Sequence, residues 1–259
     1  MLASLTDSLM DISASVINLL AIRYSLVPAD DDHSFGHGKA ESLASLAQAA
    51  FITGSAVVLL MHGVDALIDP KPLMHVSVGI WISVASLIMT LILITFQSYV
   101  IKLTGSQAVK ADALHYRSDV LLNAAVLLAL VLSSQGFPNA DAVFALLLGG
   151  YILWSALQIG YESIQTLLDR QLPEDECQQI KDICCAVDGV RGIHDLKTRL
   201  SGPVRFIQLH LELDDELPLV KAHELADMAE QQLKKQFPVS DILIHMDPVS
   251  VLTKENVHH

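Results

Sequence analysis

Apolar positions in this chain come in long unbroken runs. No formal charge interrupts Ser42–Val64, Pro72–Ile101, Val120–Ala140 or Ala142–Tyr161. Each run is near or above the ~20 residues a helix needs to cross the hydrocarbon core of a bilayer. Residues 1–22 carry only Asp7 and Asp11 as charges and make a fifth span. From about Asp169 onward the runs stop and short mixed segments begin. These predict a helix over Glu174–Val187, strands over Gly192–Arg199 and Val204–Leu213, an amphipathic helix over Pro218–Phe237 and a last strand over Asp241–Met246. The expected architecture is an α-helical transmembrane bundle over residues 1–170 and an α+β domain over 171–250. In that domain the order α-β-β-α-β suggests a small open sheet covered by helices on one face. Residues 251–259 read as disordered, with His258 and His259 as remnants of a tag.

Basic residues set the orientation. Arg23 and Lys39 follow the first span, Lys102 and Lys110 lie between the third and fourth, and Arg170 follows the fifth. The alternate loops hold only Lys71 and none, so the first group and the C-terminal domain are expected in the cytoplasm. Five spans ending inside require a start outside, and the N-terminus lacks the basic region of a signal peptide. The expectation is that one helix precedes Met1 in the complete fold. In the second span Ser42, Ala44, Ser45, Ala47, Ala49, Ala50, Gly54, Ser55 and Ala56 suit close helix packing in lipid.

Composition narrows the function. Charged residues make up 17% of the chain against 52% hydrophobic, and the formal charge is −13. The acidic balance argues against nucleic acid and suits cations. Cys177, Cys184 and Cys185 form no CxxC, and the two neighbours cannot make an ordinary bridge, so reduced, incidental thiols are expected.

The candidate chemistry sits where carboxylates and imidazoles interrupt apolar runs. Asp7 and Asp11 are four residues apart, as are His115 and Asp119, so each pair shares a helix face with Cβ atoms about 5–6 Å apart. Ionisable groups at membrane depth mark ion or proton paths. Together the pairs offer three carboxylates and one imidazole, a set that suits Zn²⁺, Fe²⁺, Mn²⁺ or Co²⁺, admits Cd²⁺ and disfavours Cu⁺. The alternative is a buried polar contact between helices. Three carboxylates in low dielectric take up protons when no cation is bound, and an imidazole exchanges a proton near neutral pH. Metal and protons therefore compete for one site. Helices that expose it to each side in turn would move metal one way and protons the other.

Two further groups carry ligand chemistry. The loop Pro28–Gly38 combines three successive aspartates with His33 and His37, and either binds metal or is simply a solvated polar loop. In the tail, His194, His210, His223 and His245 can converge, and Asp247 shares a strand face with His245. Four protein ligands leave no open position for a hydrolytic water, and neither HExxH nor Gly-x-Ser-x-Gly is present, so the protein is not expected to be an enzyme.

These motifs, in this order, resemble the cation diffusion facilitator family in its bacterial zinc and iron efflux branch. The resemblance rests on the DxxxD span, the Asp-Asp-Asp-His-Ser-Phe-Gly-His-Gly-Lys-Ala-Glu loop, the HxxxD span, the Leu-Leu-Asp-Arg exit and the histidine-bearing tail, and it covers essentially the whole chain. It implies six spans with both termini cytoplasmic, of which five are visible here. It also implies efflux of Zn²⁺, with Fe²⁺ or Cd²⁺ as other cargo, across the bacterial inner membrane by alternating access coupled to proton antiport. The transport site would be Asp7, Asp11, His115 and Asp119, and a loop site would use Asp30, His33 and His37. A binuclear tail site would use His194, His210, His223, His245 and a bridging Asp247. The tail would be metallochaperone-like and hold a homodimer, Lys39 and Asp169 would form a charge interlock, and Leu114 would be a hydrophobic gate. Other readings are a metal-sensing membrane scaffold that binds without transporting, a membrane metalloenzyme and a passive channel.

Overall fold

The computed structural model describes residues 15–68, 80–134 and 140–250. They divide into two compact units, Met1–Ile164 and Gln165–His259. In the first unit the described part of α1 covers residues 15–25. It is followed by α2 (Lys39–Ile68), α3 (Ile80–Thr104), α4 (Gln107–Ser134) and α5 (Ala140–Leu167). Among the described residues, Lys39–Ile68, Leu87–Thr104 and Ala142–Leu167 are long and apolar enough to cross a membrane. The proposed first-span ligands Asp7 and Asp11 lie outside the described residues.

Small residues let α2 and α5 approach closely. A Cβ on Gly149 would stand 2.9 Å from the Leu60 side chain, and one on Gly63 3.0 Å from that of Leu146. Further along, the buried hydroxyls of Ser45 and Ser163 hydrogen-bond at 2.9 Å. Not every small residue of α2 serves this contact. Ser42, Ser45, Ala49 and Ala56 are buried, whereas Ala47, Ala50, Gly54 and Ser55 face outward. The buried set repeats every three to four residues and therefore shares one helix face. That face meets Ala111 and Leu114 of α4 and Ile152, Ala156 and Ile159 of α5 in one apolar cluster. On the outer faces Leu43, Phe51, Met61, Met89 and Phe96 are exposed, as suits contact with lipid.

Helix α4 is tied to each of the other four by polar contacts. Asn18 of α1 donates to the Ala108 carbonyl, Glu41 of α2 accepts from the Ala108 amide, and Arg117 donates to Ser98 of α3. Lys110 pairs with Glu162 of α5. The Asp112 carboxylate accepts from Gln48 of α2 at 3.2 Å and from Gln97 of α3 at 2.7 Å. Replacing Asp112 by leucine removes the acceptor of both amides. Stranding a buried donor costs about 1–3 kcal/mol, so Asp112→Leu is expected to lower the melting temperature of the detergent-solubilised protein. A melt equal to the parent's would show that the node holds nothing.

The second unit opens where α5 ends. The Arg170 amide reaches the Gln165 carbonyl at 2.9 Å and the Asp169 amide reaches that of Thr166 at 3.2 Å. Asp169 takes φ +59, the left-handed residue that closes such a helix end. Then follow α6 (Glu174–Cys185), β1 (Gly192–Ser201), β2 (Val204–Leu213), α7 (Leu219–Gln236) and β3 (Ser240–Pro248). The order is the expected one, with β1 two residues longer and β3 extended at both ends. β1 and β2 form an antiparallel hairpin, and α7 carries the chain across to β3, which pairs parallel to β2. Alternation in β2 sends Ile207, Leu209, Leu211 and Leu213 into the core. There they meet Cys177, Ile180 and Cys184 of α6 and Ala222, Ala226, Ala229 and Leu233 of α7. Burial pushes the Cys184 thiol up to about 12, so it packs as a neutral apolar group. The opposite face of the sheet is left for chemistry.

Candidate metal centres

Strand register builds the tail group. His194, His210 and His245 are direct partners across β1, β2 and β3, so three imidazoles form one row on the open face. Ring centroids are 5.0 Å apart for His194 and His210 and 4.7 Å for His210 and His245. The next outward row is Gly192, Glu212 and Asp247. Asp247 leans into the histidines. Its Oδ2 lies 2.7 Å from His210 Nδ1 and 3.3 Å from His194 Nε2, and its Oδ1 lies 3.1 Å from His245 Nε2. Ligand atoms of His194, His210 and Asp247 all fall within 4.8 Å of one another. Burial raises the Asp247 carboxyl, but the His210 hydrogen bond and the charges of His245, His210 and His194 outweigh it and hold it below the ordinary carboxylate range.

His223 stands on α7, exposed, with Nε2 3.6 Å from Asp227 one turn on. Two acidic residues that the sequence did not single out flank the histidine row. Glu212 Oε1 is 3.1 Å from His194 Nδ1. A bulge in β1 puts Asp195 at φ +49 with its carboxylate 3.8 Å from His210 Nε2. A hydrogen bond from Lys197 holds the Asp195 carboxyl low. The donor set of imidazoles and carboxylates without thiolate fits a borderline divalent ion such as Zn²⁺.

The loop between α1 and α2 folds back on itself at Gly36, whose φ of +73 favours glycine. Asp30 Oδ1 accepts from the backbone amides of Asp32 at 3.1 Å and His33 at 2.6 Å. The His33 amide is the largest influence holding the Asp30 carboxyl below its usual value; burial opposes it, and the His33 side chain and the His37 charge add to it. His33 Nδ1 lies 3.2 Å from Asp30 Oδ1, and His37 Nε2 lies 3.4 Å from Oδ2. His37 is buried, and its Nδ1 is 3.4 Å from the Val27 carbonyl, so an Nδ1–H there leaves Nε2 free to ligate. The ligand atoms of Asp30, His33 and His37 converge within 4.8 Å.

In the membrane unit His115 and Asp119 share a face of α4, with Nε2 and Oδ2 3.8 Å apart. Leu114 is buried among α2 and α5 residues, which fixes the rotation of α4 next to His115. Tyr116, the following residue, meets the Ser15 hydroxyl of α1 at 3.1 Å. Ser15 is four positions after Asp11 in the chain. Asp112, three residues before His115, is a further carboxylate at this level. Its signal in the sequence was an ionisable group at the mouth of an apolar run.

The family model of the cation efflux transmembrane domain matches residues 1–168, and that of the cation efflux protein cytoplasmic domain matches residues 172–249. The chain belongs to the cation efflux family. This is a family of transporters, not an enzyme class, and it makes the chain a membrane protein with a cytoplasmic domain. The chain is 58% identical over 254 residues to the cation-efflux pump FieF of Escherichia fergusonii, covering 98% of this chain and 85% of that one. It is 57% identical over 259 residues to FieF of Yersinia enterocolitica, covering 100% and 86%. Among solved structures, CzrB in its zinc form is 33% identical, covering 32% of this chain and 94% of that one, with a TM-score of 0.30.

Proposed function

We propose that this protein exports divalent metal cations, Zn²⁺ first with Fe²⁺ or Cd²⁺ as other cargo, across a bacterial inner membrane in exchange for protons. The observation that carries the reading is the His115–Asp119 pair on one face of α4, inside the membrane unit of a cation efflux protein. Asp7 and Asp11 complete a four-ligand transport site, and alternating access turns it from the cytoplasm to the far side. Proton release on metal binding follows from the ligands themselves, since carboxylates and imidazole bind metal only when deprotonated. Leu114 acts as a gate beside this site. Asp30, His33 and His37 hold a second ion in the loop. His194, His210, His245 and Asp247, joined by His223 from α7, hold two more in the tail. The tail pairs two copies of the chain into a homodimer.

The test is Zn²⁺ movement into proteoliposomes that enclose a pH-sensitive dye. Zn²⁺ entry matched by proton exit, lost in Asp11→Ala and kept in Asp30→Ala, is the expected result. Stoichiometric binding without movement would instead mean a metal-sensing scaffold, and movement without a proton signal would mean a passive channel.

A further inference from the structure

We infer that Glu212 is a positioning residue for the tail metal centre, fixing the tautomer and aim of His194, and that Gly192 provides the space its carboxylate needs. The inference rests on the tail cluster being a metal centre. A carboxylate only accepts hydrogen bonds, so Glu212 Oε1 at 3.1 Å requires the proton on His194 Nδ1. The lone pair is then on Nε2, the nitrogen that faces Asp247 Oδ2 at 3.3 Å. An ion between those two atoms meets a ligand already in the correct tautomer, with its basicity raised by the charge behind it. Without Glu212 the ring is free to place N–H toward the metal or to turn over.

The register explains why Glu212 leans this way. It lies between Gly192 on β1 and Asp247 on β3. Toward Asp247 it would meet a second carboxylate. Toward β1 there is room only because residue 192 has no side chain: a Cβ there would stand 2.6 Å from Glu212 Oε2 and 3.1 Å from its Cδ. Gly192 is not among the residues at positive φ, so its backbone conformation does not itself call for glycine. Missing bulk, and not conformational freedom, is what this position uses. The atom an added methyl would strike is the end of a flexible side chain, so alanine is expected to move the carboxylate and leave the sheet intact.

The experiment titrates Co²⁺ into the full chain carrying Asp11→Ala and Asp30→Ala, reading its visible absorption and competition with a chelating dye. Glu212→Ala and Gly192→Ala are each expected to weaken tail binding 10- to 100-fold, the range for lost outer partners of metal ligands. Glu212→Gln should lose less, because its amide oxygen still accepts from Nδ1. The two alanine changes act on one contact, so the double variant should be no weaker than the worse single one. Thermal melts of the metal-free variants should match the parent. Affinity and spectrum unchanged in both single variants, or losses that add in the double, would overturn the assignment. A parent that binds no Co²⁺ in this background would overturn the metal-centre reading itself, and the inference with it.

Discussion

Replacing His115 by alanine is expected to cut Zn²⁺ flux by at least about 100-fold, the upper end of what losing only an outer partner of a ligand does. The variant removes one of the four proposed ligands. The ring contacts of His115 with Phe51 and Tyr116 are 6.5 and 5.5 Å between centroids, and the rotation of α4 is held by buried Leu114 and by Asp112. A stability loss large enough to mimic a transport defect is therefore not expected, and a melt beside the flux assay checks it. His115→Asp is the more informative companion. It keeps four ligands but makes them all carboxylates, a set better suited to Mn²⁺ than to Zn²⁺. Competition flux should show Zn²⁺ preference falling and Mn²⁺ entering. Parent-level Zn²⁺ flux in His115→Ala would remove the imidazole from the site.

What the sequence made legible depended on the range of the signal. Charge-free runs reported helices α2 to α5 because lipid demands apolar length, a property of one segment alone. The strand over Val204–Leu213 was likewise legible, but its apolar positions Phe206, Leu209 and Leu211 do not share one parity, so the face that turns inward was not. Spacing i, i+2 put His245 and Asp247 together, and spacing i, i+4 did the same for His115 and Asp119. Facts that depend on register between strands were not available. Nothing local says that His194, His210 and His245 are partners in one row, or that Glu212 falls beside a glycine. Asp195 reaches the cluster through a bulge, a slip of one strand against another that no single segment encodes. Asp112 was visible as a charge, but its partners Gln48 and Gln97 lie on two other helices, so its part in tying them together was not.

The second large effect is expected at Asp247. Its two oxygens face different histidines: Oδ2 is near His194 and His210, and Oδ1 is near His245. In the proposed binuclear centre this carboxylate would bridge two ions, one with His194 and His210, the other with His245 and His223. Asp247→Ala is therefore expected to remove both tail ions, with affinity down at least about 100-fold for each, counted by equilibrium dialysis in the chain carrying Asp11→Ala and Asp30→Ala. His223→Ala should remove one. Loss of a single ion in Asp247→Ala would mean that the carboxylate does not bridge, and no loss in His223→Ala would mean that α7 contributes no ligand. Binding should depend on pH as well. Because Asp247 is held below the ordinary carboxylate range, it stays ionised as the solution is acidified. Acidification should then release the tail ions by proton competition for the ligands, which bind metal only when deprotonated. Any stability that Asp247 gives the metal-free fold is present above the unfolded carboxylate value of about 3.9 and is lost only as pH falls through its lower folded value.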